Sequence, residues 1–164
     1  MAQQFTSFGA FALHLAATAA GQVVAMQSGL EAVAVRIEKT AKAEIGKYQP
    51  AVGPFSAWPE LADSTKADRV AQGFTENDPL LRNGHLRDSY QHEVHGVEAV
   101  IGSKDDVALW QELGTSRGIP PRPVLGPAVE YNHAAITKIL GGAAVRGVMG
   151  QTAIPSTFQY DHDV

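Results

Sequence analysis

The sequence contains no cysteine. Disulfide bonds, thiol nucleophiles and thiolate metal ligands are therefore excluded. The absence does not indicate a compartment, because a chain without cysteine suits a reducing cytosol and an exposed particle equally. Any chemistry or assembly by this protein must use other side chains.

Charge is also scarce. Charged residues make up 18% of the chain, below the roughly 25% that is typical of soluble domains, which slightly favours a surface covered by other subunits. The 13 Lys and Arg residues are scattered without a run, and the formal net charge is -4. Gripping phosphates by charge needs a basic face, so we expect no nucleic-acid binding by the monomer surface. A ring could still make passive contact with DNA in a channel.

Two common catalytic motifs are missing. The chain has no G-x-S-x-G nucleophile elbow, and the Gly-Gly-Ala-Ala run at 141–144 lacks the Lys-Ser/Thr of a P-loop. The carboxylates show no pairing in the sequence. We therefore predict that the protein is not an enzyme and that it uses no cofactor.

Three histidines lie close together beside Glu93: His85, His92 and His95. The zinc motif H-E-x-x-H needs two histidines four residues apart on a helix, whereas His92 and His95 are three apart. On a strand they would face opposite sides. We predict no metal site here, and a small metal-dependent hydrolase built on His85–His95 stays open as an alternative.

The N-terminal region is apolar but does not have the pattern of a signal peptide. Residues 1–13 contain no Lys or Arg, which such a signal requires. The apolar stretch from Phe8 to Met26 is interrupted by His14, Thr18 and Gln22, whereas a membrane span needs about 20 predominantly apolar residues. We expect a soluble helix and no membrane partner.

Residues 10–46 show the clearest helical periodicity. Met26, Leu30, Val33 and Ile37 form a stripe at spacings near 3.6, and charged residues, Glu44 among them, are assigned to the opposite face. The pattern predicts a long amphipathic helix that packs on its own domain. Part of its apolar face could instead meet a neighbouring subunit.

The segment from 47 to 83 predicts a long loop with one short helical turn. Prolines and glycines interrupt it: Pro50, Gly53, Pro54, Pro59, Gly73 and Pro79. Loops this long are uncommon in compact domains unless they are functional, so we expect the segment to order against a partner. Trp58 would ordinarily be a local packing anchor in such a loop.

Residues 89–102 predict a β-hairpin, because apolar and polar residues alternate on both sides of a His95-Gly96 turn. Asp105 or Asp106 can then cap a short helix that ends at Leu113 before Gly114.

A final helix is expected at 127–140, with Pro127 in its first turn and Gly141-Gly142 ending it. The fold predicted is α+β: a long N-terminal helix and a C-terminal helix packed on a small, mainly antiparallel sheet. One domain covers 1–142, and 143–164 forms an extended tail.

The stretch from Pro79 to Ala128 resembles the neck, minor tail and tail-completion proteins of long-tailed phages. It reads PLLRNGHLRDSY, then AVIGS, then VALWQELGTSRGIPPRPVLGPA. The matching positions are Gly84, Leu86, Arg87, Ser89, Ile101, Gly102, Ser103, Glu112, Gly114, Thr115, Pro121, Arg122, Pro123 and Leu125. The chain departs from that pattern at Val124, where those proteins often have Phe, and at Val107-Ala108, where they often have Tyr-Ala.

The resemblance implies a structural virion protein, assembled in the host cytoplasm, that forms a ring at the head–tail junction or tail end. Its partners would be further copies of itself, a tail-tube or tail-terminator protein, and a head-closure or connector protein. The residues we expect at partner contacts are Trp58, Arg87, Arg117, Arg122, Phe158 and Tyr160, with the Arg122 side chain directed outward between its prolines. A monomeric ligand-binding module is a further alternative.

Overall fold

The computed structural model describes residues 4–149. Its elements, in chain order, are α1 (Phe8–Glu44), α2 (Asp63–Ala71), α3 (His85–Ser89), β1 (Tyr90–His95), β2 (Glu98–Ser103), α4 (Asp106–Leu113) and α5 (Leu125–Met149). The two strands form one antiparallel sheet. The predicted α+β class, with a long first helix and a helix near the C-terminal end, is confirmed.

The chain forms two compact units. The described part of unit 1 comprises residues 4–33, 94–99 and 134–149, and unit 2 comprises residues 34–93 and 100–133. The single-domain organisation over 1–142 stays a prediction.

In unit 1, glycines allow α1 and α5 to approach each other closely. A Cβ added to Gly29 would lie 2.8 Å from the Cβ of Ala143, and one added to Gly147 would overlap Gln22. Contacts this short leave no room for a side chain, because real Cβ atoms essentially never approach below 3.0 Å. Close packing therefore explains these glycines, which otherwise weaken a helix by up to ~1 kcal/mol each.

The predicted end of the last helix at 140 is wrong. Helix α5 continues through Gly141-Gly142 to Met149, so residues 143–149 are helical rather than extended. Ile139 and Ala143 are buried on this helix, and burial of apolar surface, at about 25 cal/mol per Å², offsets the weak helix propensity of glycine. The rest of the predicted tail lies outside the described residues.

The hairpin is where the sequence places it. A two-residue loop, Gly96-Val97, joins β1 to β2, one residue later than the predicted turn. Gly96 has a φ of 59°, which is the conformation that a type II′ turn requires at its first central position. The predicted loop is also more ordered than expected, since it contains the nine-residue helix α2.

Local capping fixes α4 and the start of α5, both in unit 2. The Asp105 side chain accepts a hydrogen bond from the Val107 amide at 2.9 Å, which confirms Asp105 as the N-cap of α4. The Glu112 carboxylate accepts from the amides of Val124 at 2.9 Å and Leu125 at 2.8 Å. A carboxylate at a helix N-terminus satisfies amides that otherwise have no partner.

Candidate functional site

Two residues predicted at partner contacts are buried inside unit 2. Trp58 is 5% exposed, and its indole Nε1 donates to the carbonyl of Pro123 at 2.9 Å. Arg122 is also 5% exposed; its guanidinium donates to the carbonyls of Pro59, at 2.9 and 3.1 Å, and Glu60, at 3.0 Å. Together these bonds hold the loop around Pro59 against Arg122 and Pro123, which immediately precede α5.

The expectation that Arg122 points outward is therefore wrong. The prolines on either side of Arg122 stiffen the backbone, but the guanidinium is buried and donates hydrogen bonds to two carbonyls of the loop. Burial lowers the pKa of Arg122 from its usual value, with the Tyr48 phenol opposing the shift. Trp58 acts as the packing anchor that its position in a loop first suggested.

Arg69 makes a similar set of bonds from α2. It is buried, and its Nε donates to the Thr75 carbonyl at 2.7 Å. Its Nη2 donates to the Leu81 carbonyl at 2.6 Å and to the Thr75 hydroxyl at 3.3 Å. Arg69 thus binds carbonyl and hydroxyl oxygens of unit 2 and Arg122 binds carbonyl oxygens, and neither pairs with a carboxylate among the described residues.

Arg69 and Arg122 line one cavity of about 770 Å³ in unit 2, which we call the arginine cavity. Arg82 also lines it; this guanidinium pairs with Asp68 and lies 5.2 Å from the centre of the Phe74 ring. The larger apolar residues of the wall are Leu61, Leu80, Leu86, Val107, Ile119 and Pro120. Sequence reasoning missed this site because its arginines lie in three distant segments and form no run.

Two histidines of the predicted cluster, His85 and His92, pair with different carboxylates. His85 Nδ1 lies 3.1 Å from Asp105 Oδ2, whereas His92 Nδ1 pairs with Glu38. Both histidines line a second cavity of about 790 Å³. Within residues 4–149 no group of three or more potential metal-ligating side chains is assembled.

A buried acidic cluster lies in unit 2. Glu44 is 4% exposed, and neither of its carboxylate oxygens has a hydrogen-bond partner among the described residues. Burial, followed by the charge of Glu112, raises the pKa of Glu44 to about 8. Burial, followed by the charges of Glu112 and Glu44, also raises the pKa of Tyr90, whose hydroxyl lacks a partner in the described chain.

Glu44 is therefore mostly protonated at neutral pH, since its pKa of about 8 lies above 7. The sequence pattern placed it among the surface charges of the long helix, and that assignment is wrong. A carboxyl buried without a cation keeps its proton because the charged form would be poorly solvated.

The remaining predicted contact residues lie on the surface or outside the described residues. Arg87 Nε pairs with Asp88 Oδ1 at 2.8 Å. Hydrogen bonding within this exposed pair raises the pKa of Arg87 and lowers that of Asp88. Arg117 is exposed in a turn. Phe158 and Tyr160 lie outside the described residues.

The first half of α1, in unit 1, exposes apolar side chains. Leu13 is 74% exposed and Val24 is 67% exposed. Other exposed apolar residues of this half are Phe8, Phe11, Leu15 and Val23. The stripe that is less exposed instead carries small or polar residues: Ala10, His14, Thr18 and Gln22. The chain covers the more polar stripe and leaves the apolar residues in contact with solvent.

The same helix is long and apolar enough to cross a membrane, judged by length and composition alone, with a mean hydropathy of 1.4 over its most apolar window. Buried core helices of soluble proteins and N-terminal signal sequences meet the same criterion; in this chain the apolar window lies near the N-terminus and none of it is buried.

Comparisons with known proteins give no match, whether to a family model, a curated protein or a solved structure.

Proposed function

We propose that this chain is a structural virion protein that joins the head and tail of a long-tailed phage as one subunit of a ring. The single observation that carries the proposal is the exposed apolar surface of α1, which we call the α1 surface and define by Phe8, Phe11, Leu13, Leu15, Val23 and Val24. The resemblance of residues 79–128 to neck and tail-completion proteins supplies the class of assembly.

The α1 surface extends along the first half of the helix. Residues 8–24, which carry it, form roughly 26 Å of helix, and a strip about 10 Å wide along them has a footprint on the order of 260 Å². Contiguous apolar patches of a few hundred Å² mark interaction sites on soluble proteins. The surface therefore fits a contact between subunits.

The chemistry of the α1 surface favours a second copy of this chain. No Lys, Arg, Asp or Glu precedes Glu31 in the sequence, so two copies can meet without repulsion between like charges. Helices that lie on membrane surfaces instead carry Lys and Arg on their polar face, and a spanning helix would have to bury His14, Thr18 and Gln22 in lipid.

Unit 2 would then present contacts to the other partners. The bonds of Trp58 and Arg122 hold its loop in place, and Arg87 and Arg117 lie at its surface. The proposed partners are a tail-tube or tail-terminator protein and a head-closure or connector protein. The ring would also make passive contact with DNA in its channel. The protein would be located in the virion.

Replacing Leu13 and Val24 together by Glu is expected to abolish self-association. The two residues are eleven positions apart and share one face of α1, so the double variant places charge where neighbouring copies would meet. Sedimentation velocity should show multimers of the unaltered chain and monomers of the variant, with equal helix content by circular dichroism.

Val70→Glu is the matched control, because Val70 is an exposed apolar residue on α2 in unit 2. It should leave the multimer intact. An unaltered chain that stays monomeric at ~100 µM, or one that binds neutral lipid vesicles through Leu13 and Val24, would contradict the proposal.

A further inference from the structure

We propose that the arginine cavity binds a carboxylate carried by an extended segment of a partner polypeptide. No residue that lines this cavity belongs to α1. The proposal therefore stands on observations separate from those that support ring formation, and either one can fail without the other.

The first argument is charge. Arg69 and Arg122 are each 5% exposed, and their hydrogen bonds end on carbonyl and hydroxyl oxygens. A buried guanidinium that faces no carboxylate keeps an uncompensated positive charge, which is costly. A bound carboxylate would supply that compensation.

The carboxylates of the chain that line the cavity are already engaged. Glu60 pairs with Lys66 at 3.3 Å, and Asp105 lies 3.1 Å from His85 while it caps α4. Neither side-chain carboxylate makes an ion pair or hydrogen bond with Arg69 or Arg122 in the described part of the chain; Glu60 meets Arg122 only through its main-chain carbonyl. Positive charge at the cavity thus exceeds what its own wall neutralises.

The second argument is donor geometry. A guanidinium has five N–H donors in a rigid fork that matches a carboxylate. Arg69 and Arg122 each use only Nε and Nη2 within the described residues. Each Nη1 group donates to no described residue and is not sealed from solvent. Both side chains are also fixed by their other bonds, so little freedom is lost on binding.

The third argument is the apolar wall of the cavity, which favours a carboxylate that has an apolar residue beside it. Leu80, Ile119 and Pro120 are among the apolar residues that line the cavity. Its volume of about 770 Å³ lies within the range of roughly 300–1,000 Å³ that is usual for ligand sites. A small inorganic anion would leave this apolar wall uncovered, whereas a peptide with an apolar residue beside its carboxylate would cover it.

The test is a titration of the isotope-labelled full chain with short peptides, followed by nuclear magnetic resonance. Acetyl-Leu-Asp-Leu-amide carries a side-chain carboxylate, acetyl-Leu-Leu-Leu with a free C-terminus carries a terminal one, and acetyl-Leu-Asn-Leu-amide carries neither. We expect shifts of the Arg69 and Arg122 Nε–H signals with at least one carboxylate peptide, which identifies the source. That peptide should bind at least about tenfold more tightly than the Asn peptide, a difference of about 1.4 kcal/mol.

Two variants locate the site. Arg82→Gln removes a partly exposed guanidinium at the cavity and should weaken binding several-fold. Arg122→Lys keeps the charge but loses the fork, and should weaken it further. Arg117→Gln is the matched control, since Arg117 is exposed and does not line the cavity.

The proposal is overturned if the Asn peptide binds as tightly as the carboxylate peptides, if no peptide binds, or if Arg117→Gln weakens binding as much as Arg82→Gln. Should Arg122→Lys fail to fold by circular dichroism, the peptide comparison and Arg82→Gln still decide between these outcomes.

Discussion

Glu44→Gln is expected to stabilise the protein at pH 8.5, by an amount on the order of 4 kcal/mol, and to remove most of a pH dependence between about 4.5 and 8. The native pKa of Glu44 is about 8, against 4.5 for an unperturbed glutamate. Each unit of pKa difference corresponds to about 1.4 kcal/mol between the two protonation states.

The direction of the pH dependence follows from proton binding. Between pH 4.5 and 8 the native state holds a proton on Glu44 that the unfolded chain has released. Stability therefore falls as pH rises through this window. Below pH 4.5 both states are protonated and this contribution is fully present; above pH 8 it has been lost. Gln resembles the protonated side chain and has no proton to lose.

The measurement is urea unfolding of both proteins at several pH values from 4.5 to 8.5. Glu76→Gln is the matched control, because Glu76 is exposed and its replacement should leave the slope unchanged. A Glu44→Gln variant with the same slope as the unaltered protein, or with lower stability at pH 8.5, would show that Glu44 is not held protonated by burial.

Trp58→Ala is expected to cost about 3–5 kcal/mol of unfolding free energy, the range for removing a large buried aromatic side chain. Trp58 is almost completely buried, and its loss also leaves the Pro123 carbonyl without its 2.9 Å hydrogen bond. Trp58→Phe should cost less, because it keeps most of the apolar packing.

Trp110→Ala is the matched control for this substitution. Trp110 is 47% exposed on α4, so its removal should cost less than about 1.5 kcal/mol, since substitutions at exposed positions have small effects. Denaturant unfolding of the three variants provides the comparison. Equal losses at Trp58 and Trp110 would contradict the assignment of Trp58 as the anchor of the loop.

Local signals were sufficient for much of the fold. The periodicity of α1, the alternation of β1 and β2, and the Asp105 cap of α4 each depend on residues close together in the sequence, and each was predicted within about two residues. Turn residues such as Gly96 mark backbone conformations that few other residues adopt.

Long-range packing was not predictable in the same way. Gly141-Gly142 has the sequence pattern of a helix end, but α5 continues because nearby residues pack closely against α1 within unit 1. Arg122 was expected outside, yet its partners Pro59 and Glu60 are more than 60 residues away. The arginine cavity likewise combines segments that no local pattern connects.

The central claim, that the chain is a ring subunit of a virion, is tested most directly by a cryo-electron microscopy reconstruction of particles assembled from the genome that encodes it. The account predicts a ring of this chain at the head–tail junction or tail end, with Leu13 and Val24 buried between adjacent copies. Particles that lack the chain, or a ring in which the α1 surface faces solvent, would contradict it.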